Sequence, residues 1–183
     1  MKQVTKALGV VSLAVLAGCA GGSASMRPMF SQATLPEAVK VPTGHNVTME
    51  TVGAGSITYE CRAKKDMASQ FEWAFVGPSA TLTDRSGKTV GRYYGPPATW
   101  ESGDGSKVTG VQQAVAPGGD GNIPLQLVKA NPAVGMGAMQ GVSFIQRVAT
   151  RGGVAPAMAC AAGNTGQKQT VQYQADYIFW RAV

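Results

Sequence analysis

Apolar and polar residues alternate along much of the chain. In residues 171–179 every second side chain, from Val171 to Phe179, is apolar, whereas Gln172 and Gln174 lie between them. A period of two places the apolar side chains on one face of a half-buried antiparallel strand. The same period predicts strands at residues 57–62, 71–76, 123–127 and 142–148, and weaker strands at 47–52, 80–83, 89–94 and 108–115.

About nine short strands separated by turn signals are typical of a β-sandwich or a small barrel. In one of them, Ile123, Leu125 and Leu127 form the predicted apolar face. No helical stripe is sustained, although one short helix would fit at residues 65–69 or 132–139. We therefore predict a single all-β domain over residues 36–183, which is an antiparallel β-sandwich or a small β-barrel with long loops.

The first 18 residues have the pattern of a bacterial lipoprotein signal peptide. Lys2 and Lys6 precede an apolar run at residues 7–16, which is too short to span a bilayer. Small residues then lead to Cys19, which would become the lipidated first residue of the mature chain. Two or more acyl chains anchor a protein stably. The alternative is an ordinary secretory signal followed by a chance cysteine.

The residues after Cys19 indicate a location. Ala20 stands where an aspartate would favour retention in the inner membrane of Gram-negative bacteria. We therefore expect the protein at the outer membrane, on its periplasmic face. Residues 19–35 are small, polar and unpatterned, which predicts a flexible tether between the membrane and the domain.

The charge of the chain is mildly basic. Lys and Arg number 16 and Asp and Glu number 10; loss of the signal leaves 14 basic against 10 acidic residues, a net charge of +4. The cations are scattered and are not interleaved with aromatic residues, so no nucleic-acid surface is expected. The excess would help contact with anionic lipids or lipopolysaccharide, or only solubility.

Two cysteines are left once Cys19 is lipidated. In an exported domain, Cys61 and Cys160 indicate one disulfide, which would close a loop of about 100 residues and stabilise the domain by about 4–5 kcal/mol. Two free buried thiols are the alternative. No Cys-x-x-Cys pair is present, which argues against redox catalysis.

Motifs for catalysis and cofactors are weak. His45 is the only histidine, so a Ser–His or Cys–His mechanism would have to use it, and a zinc site of several histidines is excluded. Met136, Met139 and Met158 offer thioethers to Cu(I), or simply fill the core. No complete phosphate-binding loop, dinucleotide fingerprint or nucleophile elbow occurs. We predict no metal and no cofactor.

One glycine-rich segment has the residues of a sugar site. Trp100 precedes Glu101 and Asp104, and an aromatic ring beside carboxylates suits sugar contact or paired acid and base chemistry. Asp104 is equally suited to a turn, where it would accept backbone N–H bonds. Arg147 is a charge inside an apolar strand, where it would pair with an acid, cap carbonyl groups or bind an anion.

A set of short motifs runs through the domain. In chain order they are Val41-Pro42-x-Gly44, Tyr59-Glu60-Cys61, Trp73, Pro78-x-Ala80-x-Leu82, Gly87, Gly95-Pro96, Trp100, Asp104-Gly105-Ser106-Lys107-Val108, Ile123-Pro124, Ile145-Gln146-Arg147-Val148-x-Thr150-x-Gly152-Gly153-x-Ala155-Pro156, Cys160 and Tyr173-x-Ala175-x-Tyr177-x-Phe179. Together they resemble the domain-of-unknown-function family numbered 3455 over about residues 36–179. The resemblance implies a secreted bacterial or fungal protein and no established activity.

The chain departs from the pattern of that family at three places. Tyr93 and Tyr94 stand where the family often has a histidine, Pro97 and Ala98 are extra, and Leu125 replaces a tryptophan. The first departure weakens any mechanism that depends on a histidine in that loop.

We expect a non-enzymatic module of the cell envelope that binds a glycan, lipopolysaccharide or an envelope protein. The candidate ligand-binding residues are Tyr93, Tyr94, Trp100, Asp104 and Arg147, and Trp100→Ala is expected to weaken binding while leaving the fold intact. The alternatives are a glycan-directed hydrolase that uses Glu101 and Asp104, and a protein that resembles the small lipoprotein inhibitors of lysozyme.

Overall fold

The computed structural model describes residues 30–183, which form one antiparallel sheet of eight strands closed into a barrel. Each strand pairs with the next, and the first pairs with the last over nearly its whole length. The strands are β1 (His45–Lys64), β2 (Met67–Thr83), β3 (Thr89–Tyr94), β4 (Thr99–Ser102), β5 (Lys107–Ala116), β6 (Leu125–Ala130), β7 (Val142–Gly152) and β8 (Lys168–Ala182). The prediction of an all-β fold is confirmed.

Strand number and helix content differ from the sequence-based prediction. The predicted strands at 47–52 and 57–62 are one strand, β1, and those at 71–76 and 80–83 are also one, β2. The pairing of β1 with β2 skips Val76, which disturbs the alternation in β2. In β1 the small residues 53–56 hide the alternation. The short helix considered at 65–69 or 132–139 is absent from both places, and β4 was not predicted.

The barrel interior is filled by a continuous apolar cluster, here called the inner core. It contains many aromatic rings, among them Tyr93, Trp100 and Tyr177, which contact one another. Gly53 in β1 makes room for one of these rings, because a Cβ atom there would lie 2.5 Å from Cε2 of Tyr177. The inner core therefore depends on glycine at a position that the period-two pattern leaves unexplained.

A second apolar cluster lies outside the barrel, beneath residues 30–41, which we call the N-terminal strap. Val39 and Val41 of the strap are buried against outward-facing residues of four strands, β5 to β8: Ala116, Leu127, Phe144, Val148, Ile178 and Trp180. Phe30 packs edge-on against Trp180 at a ring-centroid distance of 6.2 Å. The domain therefore includes residues from Phe30 onward, whereas the sequence predicted its start at residue 36.

Gln146 in β7 fastens the strap to the barrel wall. It is fully buried, and its Nε2–H donates to the carbonyl oxygen of Val39 at 2.6 Å. Its Oε1 accepts a hydrogen bond from Trp180 Nε1 at 2.9 Å. A buried amide that lacked such partners would cost about 1–3 kcal/mol, so the polar residue in this apolar strand has a structural role.

Cys61 and Cys160 form a disulfide, as predicted, with a Cα–Cα distance of 5.4 Å. It joins β1 to the loop between β7 and β8. The predicted signal peptide at 1–18, Cys19 and residues 20–29 lie outside the described residues. Within residues 30–183, no helix has the length and apolar character needed to cross a membrane.

The two ends of the barrel are defined by their loops. The upper end carries the loops at residues 65–66, 95–98, 117–124 and 153–167. The lower end carries those at 84–88, 103–106 and 131–141 and the start of β1.

Candidate functional site

A cavity of about 360 Å³ lies inside the upper half of the barrel. The six strands from β2 to β7, together with the loop before β4, contribute its side chains. They are Phe75, Tyr93, Ala98, Trp100, Gln112, Gln126, Val128 and Arg147, and Gly110 completes the lining. An eight-stranded barrel has an interior wide enough for packed side chains or for one small ligand, and barrel mouths are common ligand sites.

Two stacked aromatic rings form the inner wall of the cavity. The rings of Tyr93 and Trp100 are 4.7 Å apart between centroids and inclined by 23°, and Tyr177 meets Trp100 edge-on at 5.9 Å. Trp100 is only 1 % exposed, and its Nε1–H has no hydrogen-bond partner among the described residues. Buried polar atoms without partners are rare in proteins, and they often mark a place where a water or ligand binds.

Polar side chains also line the cavity. Gln126 Nε2 donates a hydrogen bond to Gln112 Oε1 at 2.6 Å. Arg147 Nε–H and Nη2–H both donate to the carbonyl oxygen of Pro124, at 3.1 and 2.9 Å. The cavity therefore combines flat apolar surfaces with amide and guanidinium donors, which is the usual composition of a binding site for a small polar molecule.

The positive charge of Arg147 reaches into the barrel. Burial raises the pKa of Tyr59, Tyr93, Tyr173 and Tyr177, and in each case the charge of Arg147 opposes that increase. Arg147 is half-buried and forms no ion pair within residues 30–183. It is thus a cation that faces the barrel interior without a carboxylate partner there.

Tyr94 and Glu101 lie on the outer surface of the barrel. Tyr94 follows the inward-facing Tyr93, so its ring points outward, and its Oη–H donates to Glu101 Oε2 at 2.7 Å. Arg92 Nη2–H donates to Glu101 Oε1 at 2.8 Å. These bonds from Tyr94 and Arg92 lower the pKa of Glu101.

Asp104 occupies a turn at the lower end of the barrel. Its Oδ1 accepts bonds from the backbone N–H and the hydroxyl of Ser106, at 2.9 and 2.6 Å, and its Oδ2 accepts one from the backbone N–H of Ala138 at 2.7 Å. These bonds, the hydroxyl of Ser106 first, lower the pKa of Asp104 to about 2. Asp104 therefore joins two lower loops and lies away from the cavity.

We expect the Asp104 carboxyl to titrate near pH 2 in the folded protein. Because this pKa lies below the ordinary value of 3.8, the bonds to Asp104 stabilise the fold fully above pH 3.8 and are lost as the pH falls toward 2. A carbon-13 NMR titration of the aspartate carboxyls, with Asp104→Asn to assign the signal, measures this. A pKa at or above 3.8 would contradict the role of these bonds.

The structure brings together three of the five candidate ligand-binding residues. Tyr93, Trp100 and Arg147 line the cavity, although they are far apart in the sequence, whereas Tyr94 and Asp104 do not line it. The sequence-based reasoning missed several lining residues: Phe75, Ala98, Gln112, Gln126 and Val128.

Gln126 was missed because the wrong face of β6 was taken as the inner one. Leu127 packs in the outer cluster with Leu125 beside it, so Gln126 and Val128 face the interior. The N-terminal strap makes the outer face apolar, which the alternation alone does not reveal.

The weaker candidates for catalysis and metal binding are dispersed. His45 packs edge-on against Phe144 near the start of β1, outside the cavity. Met139 is buried in the inner core, whereas Met136 and Met158 are exposed in loops at opposite ends of the barrel. In the part of the chain that the structure describes, no three residues of the types His, Cys, Asp and Glu are grouped as metal ligands.

Comparison with known proteins gives one match. A family model described as "Protein of unknown function (DUF3455)" matches residues 42–181, which cover the barrel except for the last residue of β8. No curated protein and no solved structure matches the chain.

Proposed function

The chain belongs to the DUF3455 family, and from that premise we propose that it is a non-enzymatic binding module of the bacterial cell envelope. In this proposal Cys19 carries the lipid anchor, and the protein stands on the periplasmic face of the outer membrane. Its ligand is a sugar unit of an envelope glycan, which binds in the cavity in the upper half of the barrel.

The composition of the cavity is the observation that supports this proposal. Tyr93 and Trp100 supply a stacked aromatic wall, and Gln112, Gln126 and Arg147 supply polar groups close to it. Sugars have flat apolar faces and a rim of hydroxyls, so a ligand of this class would use both kinds of surface. A volume of about 360 Å³ lies within the range of small-molecule pockets.

The hydrolase alternative finds no support in the two carboxyls that suggested it. A glycosidase needs one carboxylic acid that keeps its proton near neutral pH, which requires a raised pKa. The pKa of Glu101 and that of Asp104 are both lowered, and neither side chain lines the cavity. We therefore propose binding without catalysis.

The position of the strap supports an orientation for the anchored protein. The backbone N–H of Phe30 donates to Glu50 Oε1 at 2.9 Å, and Phe30 contacts Trp180 near the end of β8. Both contacts are closer to the lower end of the barrel, whereas the cavity lies in the upper half. A tether that continues from Phe30 would therefore leave the cavity facing away from the membrane.

Filling the cavity should block binding. Ala98 lines it and is half-buried, so Ala98→Leu adds apolar volume without removing a polar group. We expect at least one of N-acetylglucosamine, N-acetylmuramic acid and galacturonic acid to bind with millimolar affinity, and Ala98→Leu to weaken that binding by about tenfold or more. The measurement is a nitrogen-15 NMR titration that follows the indole N–H signal of Trp100.

The matched control is Ala68→Leu. Ala68 is exposed near the tip of the β1–β2 hairpin and does not line the cavity, so this variant should bind like the wild type. Circular dichroism of both variants checks that the barrel is folded. If no sugar binds to the wild type, or if Ala98→Leu binds as well as Ala68→Leu does, the proposed site is wrong.

A further inference from the structure

We propose that the cavity selects ligands that carry a carboxylate on or near a ring, and that Arg147 binds that carboxylate. This inference rests on the proposed function, since it names the ligand class for the same cavity. Acidic sugars and small aromatic acids share this chemistry.

Arg147 has unused donors in a geometry that suits a carboxylate. A guanidinium group has five N–H donors, and only Nε–H and one N–H of Nη2 are bonded, both to the carbonyl oxygen of Pro124. Both N–H groups of Nη1 and the second N–H of Nη2 are left. Adjacent N–H groups on the two terminal nitrogens can hold the two oxygens of a carboxylate side by side.

The bonds to Pro124 also hold the side chain in place. Two bonds to one carbonyl oxygen orient the guanidinium plane relative to the cavity before any ligand arrives. A donor group that is already oriented loses less conformational freedom on binding, which favours affinity.

The charge of Arg147 lacks a partner inside the barrel. Burying an unpaired charge is unfavourable, and proteins normally pair such a charge. The two carboxylates predicted for this region are engaged elsewhere: Glu101 with Arg92 and Tyr94 on the outer surface, and Asp104 with the lower loops. A ligand carboxylate would supply the negative charge that the described residues do not.

The rest of the cavity explains why the carboxylate should belong to a ring-bearing molecule. Arg147 lines the same cavity as the nearly buried Tyr93 and Trp100, and as Phe75, which is 55 % exposed and offers most of the accessible aromatic surface. A small inorganic anion would leave these aromatic surfaces without contact. A ring attached to the carboxylate would cover them while Arg147 holds the charged end.

The test compares acids with neutral molecules of nearly the same shape. Phenylacetate is paired with phenylacetamide, and glucuronate with glucose, and each is titrated into the nitrogen-15-labelled mature domain. The signals followed are the indole N–H of Trp100 and the Nε–H of Arg147. We expect each acid to bind about tenfold tighter than its neutral partner, and added NaCl to weaken the binding of the acids only.

Three variants separate a binding role from a structural one. Arg147→Gln removes the charge, so the preference for acids should disappear. Arg147→Lys keeps the charge but lacks the paired N–H groups of the guanidinium, so the preference for acids should fall by severalfold but persist. Arg151→Gln, which changes an exposed arginine of the same strand, should bind all four probes like the wild type. If Arg147→Gln does not fold, the salt dependence and Arg147→Lys still decide the question.

The outcomes distinguish this inference from the proposed function. Equal binding of acids and neutral partners by the wild type overturns the carboxylate preference but leaves a binding cavity. A preference for acids that survives in Arg147→Gln assigns Arg147 only its structural bonds to Pro124 and overturns the inference. If none of the four probes binds, the carboxylate preference and the proposed binding function both fail.

Discussion

Replacing Trp100 with alanine should lower the free energy of unfolding by about 3–5 kcal/mol. Trp100 is 1 % exposed and packs against the rings of Tyr93 and Tyr177, at centroid distances of 4.7 and 5.9 Å. Removing the indole deletes these contacts and joins a new void to the existing cavity. Urea unfolding followed by circular dichroism measures the change in the midpoint and in the slope.

This expectation replaces the sequence-based prediction that Trp100→Ala leaves the fold intact. A suitable control is Trp73→Ala, because Trp73 is only half-buried and its Nε1–H donates to the carbonyl oxygen of Met158 at 2.8 Å. Trp73→Ala should cost clearly less than Trp100→Ala. Equal losses would contradict the expected effect of burial, and a loss of less than about 1 kcal/mol for Trp100→Ala would show that the inner core does not depend on this ring.

The burial of Trp100 also affects how ligand binding is studied. Weaker ligand binding by Trp100→Ala could not be assigned to a lost contact with the ligand, because the same variant also destabilises the fold. Ala98→Leu and the variants of Arg147 are better probes, because both positions line the cavity and are only half-buried.

The double replacement of Cys61 and Cys160 by alanine should cost about 2–5 kcal/mol of stability. The disulfide closes a loop with a sequence separation of 99 residues, and without it the unfolded chain gains conformational freedom. Cys61 is fully buried, so the variant also loses a small amount of packing. Urea unfolding of the wild type and of the double variant gives the difference.

The wild type unfolded in the presence of a reductant is the matched comparison. It should lose nearly the same stability as the double variant, because both lack the cross-link while only the variant lacks the sulfur atoms. If the free energy of unfolding of the double variant lies within about 1 kcal/mol of that of the oxidised wild type, the disulfide does not contribute the expected stability.

Most of the fold could be predicted from the sequence because strands have a local signature. The alternation in residues 171–179 corresponds to β8, and the weaker strand predicted at residues 89–94 is β3. The unpredicted strand β4 is only four residues long, too short for a period of two to be recognised. The alternation in β1 was missed between residues 52 and 57 because Gly53, Ala54, Gly55 and Ser56 are small, although Thr51, Ile57 and Tyr59 are buried on the same face.

Less of the candidate site could be predicted. Arg147 was recognised as a charge inside an apolar strand, and Tyr93 as a departure from the family pattern, but nothing local shows that they line one cavity. Asp104 looked like a ligand-binding residue because it follows an aromatic residue in a glycine-rich segment. In the structure, its bonds to Ser106 and Ala138 make it part of a turn.

The sequence by itself determined the all-β class and the positions of most strands, and it indicated the disulfide between Cys61 and Cys160. These depend on local periodicity and on there being one pair of cysteines in the domain. Only the tertiary structure decided which face of each strand is the inner one. Closure of the sheet creates an interior, and the N-terminal strap covers part of the exterior with apolar side chains, so both faces of β7 and β8 are buried. Alternation along a strand distinguishes its two faces, but it does not show which face is inside the barrel. The cavity around Arg147 forms because the face that carries Arg147 is the inner one.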